Sequence, residues 1–129
     1  MQLRMGWIIG VLLPALGVAP HAGAQQYPTK AIRLLVGNTP GGGTDLIART
    51  LSQRLYEAWG HSVVVEHRPG GTGAVASVTV AKAAPDGYSL MIVTSSSHAI
   101  APALQRDLPY QPVRDFASVA LVATAPQIL

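Results

Sequence analysis

The 129-residue chain is 49% hydrophobic, 12% charged and 5% aromatic, and nine Lys/Arg against six Asp/Glu give a formal net charge of +3. That composition excludes a disordered polypeptide, and so small a positive excess excludes a nucleic-acid coat protein. The mean hydropathy of +0.32 is high for a globular domain, and much of the excess sits at the N-terminus.

Residues 1–24 contain Arg4, an apolar run from Ile8 to Val18 broken by Pro14, and the triplet Ala22-Gly23-Ala24. A positive start, a short apolar middle and an Ala-x-Ala end read as a secretory signal peptide cleaved after Ala24. The run is too short to span ~30 Å of hydrocarbon, and no later segment approaches ~18 uninterrupted apolar residues. Cleavage removes Arg4, so residues 25–129 keep eight Lys/Arg against six Asp/Glu, a net +2. With no Cys there is no disulfide framework, no thiolate metal site and no Cys nucleophile.

In chain order, residues 31–36 form a short apolar run expected for a buried parallel strand, followed by the glycine-rich loop 37–43. Leu46, Ile47, Leu51, Leu55 and Trp59 recur at helical spacing, so 44–59 is an amphipathic helix capped by Gly43 or Thr44 and stopped by Gly60. Residues 61–66 are a second strand with a β-branched centre, closed by a second glycine-rich loop at 67–73. An Ala-rich second helix spans 74–84 and ends at Pro85-Asp86-Gly87. Residues 88–93 are the third strand, 94–98 a polar loop, 98–105 a short helical stretch, and 118–123 a fourth strand.

Strands alternating with helices through short loops imply an α/β fold with a parallel sheet and right-handed crossovers, in the order 2-1-3. In such sheets ligands bind outside the carboxyl ends of the strands where the winding reverses. That places a crevice between the loop 37–44 and the loop 94–98.

Gly41, Gly42 and Gly43 leave backbone N–H groups uncovered at a helix N-terminus, where a carboxylate or phosphate is favoured. The segment is not a nucleotide phosphate loop, because Gly43 stands where Lys is needed, and Leu46 replaces the third glycine of a dinucleotide fingerprint. Ser95, Ser96, Ser97 and His98 suggest a hydroxyl cluster that hydrogen-bonds a polar ligand; there is no Gly-x-Ser-x-Gly elbow for a hydrolase. His61 and His67 flank the second strand away from the reversal point and read as ordinary loop histidines, and no metal or cofactor is expected. Trp59 and Tyr88 read as packing residues.

Five ordered motifs carry a resemblance. They are Tyr27-Pro28-x-Lys30-x-Ile32-Arg33, Pro40-Gly41-Gly42-Gly43-Thr44-Asp45, Val64-Val65-Glu66-x-Arg68-Pro69-Gly70, Ala81-Lys82-Ala83-Ala84-Pro85-Asp86-Gly87-Tyr88, and His98 with Leu108-Pro109-Tyr110-x-Pro112-Val113-x-Asp115-Phe116. Together they resemble the Bug-type (TctC-like) receptors, the extracytoplasmic substrate-binding proteins of tripartite tricarboxylate transporters. The resemblance implies a periplasmic-binding-protein-like fold and a periplasmic, non-enzymatic receptor. Such a receptor closes on a small carboxylate or related metabolite and delivers it to a membrane permease, with no nucleic acid involved. It implies ligand contacts from Thr39, Gly41, Gly42, Gly43 and Thr44 on one side and Thr94, Ser95, Ser96 and His98 on the other. Asp45 orients the loop and caps the helix, since it would repel an anionic ligand.

The sequence departs from the family pattern near Asn38, where an aromatic or apolar residue is usual, and at His67 and Ala101, where Asn is usual. These positions bear on ligand identity rather than fold. Family members are more than twice as long and have a second α/β domain, so residues 25–129 correspond to a partial first domain, truncated before the second. Half a clamp lacks the surface that encloses a ligand, so weak or no binding is expected of this chain alone. The alternatives are a small secreted hydrolase using one of Ser95–Ser97 with His98, and a non-functional truncated reading frame.

Overall fold

The computed structural model describes residues 26–125. The signal peptide read at 1–24, with Arg4 and Ala24, lies outside the described residues. Among the described residues no helix is long and apolar enough to cross a membrane.

The core is a three-stranded parallel sheet in the order β2-β1-β3, as the loop lengths imply. β1 (Ile32–Val36) lies in the middle, β2 (Val63–His67) on one side and β3 (Ser89–Ile92) on the other. Leu34 pairs with Val65 across one ladder and with Leu90 across the other. Ile32, Leu34, Leu35 and Val36 are almost wholly buried, which is why this strand reads as a continuous apolar run.

Register corrects the second strand. The five residues of β1 take partners from Val63 to His67, so β2 begins two residues later than the β-branched run suggested and reaches His67. The ladder continues into the loop, where Arg68 N–H donates to the Val36 carbonyl at 2.9 Å. His67 is thereby fixed beside Val36, at the carboxyl end of the sheet.

Helix α1 (Gly43–Trp59) begins one residue earlier than expected, with Gly42 as its cap and no side-chain cap bond. It stops at Gly60, whose left-handed backbone (φ 68°) lets its N–H return to the Tyr56 carbonyl at 2.8 Å. Its inner face also differs from the expected stripe. Asp45 and Ala48 are buried and Leu51 and Leu55 pack on the core, whereas Leu46 is 69% exposed. The helix is rotated to bring Asp45 inward, towards the Gly41 amide and His67.

Helix α2 (Ala74–Ala81) follows a 3₁₀ turn at Gly71–Gly73 and ends three residues short of the expected boundary, closing through Ala83 N–H to the Val80 carbonyl at 3.0 Å. Its fully buried residues are the small Ala76 and Ser77, and Ser77 Oγ satisfies itself on the Gly73 carbonyl at 2.9 Å. After β3 the chain enters a wide π-type turn (Ser96–Ile100) that runs into α3 (Ala101–Leu104). Ser96, Ser97 and His98 therefore sit on a helical turn rather than in an open loop.

The fourth strand expected at 118–123 is not formed. A strand exists only through a hydrogen-bonded neighbour, and this segment pairs with none among the described residues; Val119 and Leu121 are each 83% exposed.

The end of the sheet opposite the loops is locked by side chains. Tyr27 OH donates to the Gly87 carbonyl (2.7 Å), Thr29 N–H donates to Tyr88 OH (2.9 Å), and Lys30 pairs with Asp86 (3.2 Å). The Tyr27 ring meets Tyr88 and Trp59 at 5.1 and 6.0 Å, so both of the latter are packing residues.

Candidate functional site

Parallel strands deliver all three of their following loops to one edge of the sheet, and here these loops touch. A Cβ built on Gly37 would stand 2.8 Å from Gly73 Cα, and one built on Gly73 would stand 3.1 Å from Ser97 Cβ. The loop after β2 is thus wedged between the two loops expected to bound the crevice. The sequence reading missed it, although a run of glycines directly after a strand was the same signal that singled out 41–43. Gly73 also needs its glycine for a backbone φ of 93°.

The first glycine loop has open space over it: no atom lies within 4 Å of a Cβ placed on Gly41, Gly42 or Gly43. These glycines are not required by internal packing at 42 and 43, and their bareness leaves the backbone approachable from outside. The N–H groups of Gly43 and Thr44, at the start of a 17-residue helix, have no acceptor among the described residues. Aligned peptide dipoles make that end electropositive. An open depression of about 320 Å³ lies here, lined by Gly41, Gly42, Gly43, Asp45, Leu46 and Arg49. A larger one of about 470 Å³ runs between α1 and the edge of β2, but it lies away from the carboxyl ends of the strands, and Ser52 Oγ within it is already bonded to the Val63 carbonyl.

Asp45 organises the loop. Its Oδ2 accepts the Gly41 N–H at 2.9 Å, and its Oδ1 lies 2.9 Å from Arg49 Nε and 3.0 Å from His67 Nε2. The Gly41 amide, followed by Arg49 and His67, holds the carboxyl below the ordinary aspartate range despite its burial. His67 also reaches the Asn38 carbonyl with Nδ1 at 3.0 Å. The reading of His67 as a loop histidine remote from the reversal point is overturned: register brings it against the glycine loop, with only 13% of its side chain exposed. His61 does stay apart, bonded to the Trp59 carbonyl.

On the far side, Ser95 and Ser96 are exposed and Thr94 is half-buried. Ser97 is 2% exposed, and its Oγ lies 3.1 Å from the Thr94 carbonyl and 3.0 Å from His98 Nδ1. The His98 ring packs edge-on to Phe116 at 4.8 Å and beside Tyr110 at 5.6 Å, and burial pushes its pKa down. His98 Nε2 is buried without a partner among the described residues. A buried Ser beside its own sequence neighbour is not a hydrolytic nucleophile, since no substrate carbonyl can reach Ser97 Oγ. No group of three or more His, Cys, Asp or Glu side chains that could hold a metal occurs among the described residues.

Comparison with known proteins follows this geometry. The family described as tripartite tricarboxylate transporter family receptor matches residues 47–129. Protein BugT of Bordetella pertussis is 35% identical over 127 residues, covering 98% of this chain and 39% of BugT. Among solved structures, one described as a periplasmic transporter is 47% identical with a TM-score of 0.66, covering 68% of this chain and 30% of that one. MatC from Rhodopseudomonas palustris, solved with bound malate, is 34% identical with a TM-score of 0.71, covering 74% of this chain and 33% of MatC. The chain thus spans between 30 and 39% of the length of these relatives.

Proposed function

This chain belongs to the tripartite tricarboxylate transporter receptor family, and from that premise we propose that it contributes one wall of a periplasmic receptor for a small carboxylate. The family is one of receptors, not of enzymes. The observation that carries the reading is the pair of N–H groups at Gly43 and Thr44, without an acceptor among the described residues, at a helix N-terminus whose glycines have open space over them. A carboxylate satisfies both donors and is favoured by the helix dipole. Thr39, Gly41, Gly42, Gly43 and Thr44 form the first set of contacts and Thr94, Ser95, Ser96 and His98 the second; Asp45 holds the loop from behind. The malate bound by MatC is the chemical class this cradle fits.

In this reading residues 25–129 are part of the first α/β domain, and a second domain supplies the opposing wall and a surface for the membrane permease. The test is an amide NMR titration of the chain with malate. Shifts concentrated on 41–44 and 94–98 with millimolar affinity are expected. Shifts elsewhere would overturn the site, and micromolar affinity would show that the second wall is dispensable.

A further inference from the structure

His67 lies between two atoms that can only accept. One is the Asn38 carbonyl oxygen, 3.0 Å from Nδ1; the other is Asp45 Oδ1, 3.0 Å from Nε2. A neutral imidazole carries a single N–H, so it can satisfy one of these and must turn a lone pair towards the other. Only the imidazolium donates to both. The ring is little exposed, so water cannot replace the bond that is lost.

The groups facing His67 sharpen this. From α1 come Asp45 and, through the same Oδ1, Arg49. On its own strand Glu66 points to the other face of the sheet, where Arg33 and Arg68 hold it. The loop 37–43 and strand β1 at Val36 bring no ionisable group. A protonated His67 therefore gives the cluster of Asp45, Arg49 and His67 a net positive charge beneath the glycine loop, and a neutral His67 leaves it uncharged.

We propose that His67 is a proton-dependent positioning residue for the carboxylate cradle: protonated, it staples Asn38 to Asp45 across the glycine loop, and on losing its proton it releases one of them. It touches no ligand itself. It acts through Asn38 and Asp45, which bracket the stretch where Gly43 and Thr44 present the free N–H groups, and this rests on the receptor reading above. The same proton that closes the staple adds the positive charge an anion favours. By linkage, proton uptake at His67 and carboxylate binding strengthen each other.

Two measurements on the whole chain test it. The first is ¹⁵N NMR of the His67 ring between about pH 6 and about pH 8, within the range where histidine charge ordinarily changes. The expected result is an imidazolium with two slowly exchanging ring protons at the acid end, and amide shifts at Asn38 and 41–45 that move in step as it titrates. A single neutral tautomer throughout, or a titration that leaves those amides still, overturns the proposal. The second is malate affinity over the same range, where malate stays ionised. A weakening of about fivefold from acid to alkaline pH is expected for the native chain, and a flat profile for His67→Gln, whose amide has no proton to lose. An equal slope in both would also overturn it. If malate binds at no pH, which a single wall allows, the ring spectrum alone decides whether His67 is the staple.

Discussion

Gly37 and Gly73, thirty-six positions apart in the chain, approach so closely that a Cβ on the first would stand 2.8 Å from the Cα of the second. Backbone cannot swing aside as a side chain can. Gly37→Ala is therefore expected to destabilise the fold by about 1–3 kcal/mol, the usual cost of overpacking. Gly73→Ala adds an unfavourable left-handed backbone to a 3.1 Å contact with Ser97 and should cost at least as much. Urea unfolding with unchanged m-values would check both; a midpoint at the native concentration for Gly37→Ala would contradict the contact.

Gly43 behaves oppositely. Nothing lies within 4 Å of a Cβ there, and it occupies the first turn of α1. Gly43→Ala should leave stability unchanged or raise it by up to about 1 kcal/mol through helix propensity. It should also weaken malate binding, because a methyl group then stands where the carboxylate approaches. A variant that is more stable and binds as well as the native chain would remove this loop from the site.

Tyr110 is 2% exposed, and its hydroxyl donates to the Ser97 carbonyl, tying the segment after α3 to the turn that carries Thr94–His98. Tyr110→Phe keeps the ring and deletes the bond. The expected loss is about 1–2 kcal/mol, the cost of leaving a buried carbonyl unsatisfied. Thermal unfolding monitored by circular dichroism would measure it.

Acid should destabilise the protein in two stages. Burial depresses the His98 pKa, so the unfolded chain binds a proton there before the folded chain does. The His98 contribution to stability is then fully present above the unfolded histidine value of about 6.5 and is lost as pH drops below it. Asp45, held down by the Gly41 amide and by Arg49, and Glu66, held down by Arg33, act in the same direction lower still. Their contribution is present above the unfolded carboxylate range of about 4 and disappears as pH falls through their folded values. His98→Phe should flatten the first stage and leave the second; an unchanged slope just below about pH 6.5 would show that another group causes it.

The sheet was legible in the sequence because its information is local. The run from Ile32 to Val36 is apolar throughout, Val63 to Val65 is β-branched, and the lengths between them permit few parallel arrangements. The receptor family was legible for a different reason. Lys30 with Asp86, Arg33 with Glu66, and Tyr27 with Gly87 are motif residues that bind one another across the fold, so the motifs mark its framework as much as its site. The glycine loop was found from its position after β1.

What stayed hidden were relations between distant elements. Nothing near His67 in sequence announces Asn38 or Asp45 as partners; the contact depends on β2 running to His67 in register with Val36. The rotation of α1 that exposes Leu46 and buries Asp45 contradicts the helix's own apolar pattern and follows from the same contacts. Residues 118–123 have the composition of a strand and, among the described residues, no neighbour to make them one.

The central position of β1 has a consequence for the order in which the molecule can be built. The strand made first needs partners on both flanks, and the second of these, β3, ends sixty positions after Ile32, at Ile92. The clasp of Tyr27 on Gly87 likewise joins residues sixty positions apart. No stable half of this sheet exists earlier on the ribosome, because a single parallel pair with one covering helix buries too little apolar surface to offset its ordering. A nascent chain that has not yet exposed Ile92 therefore lacks one flank of its central strand.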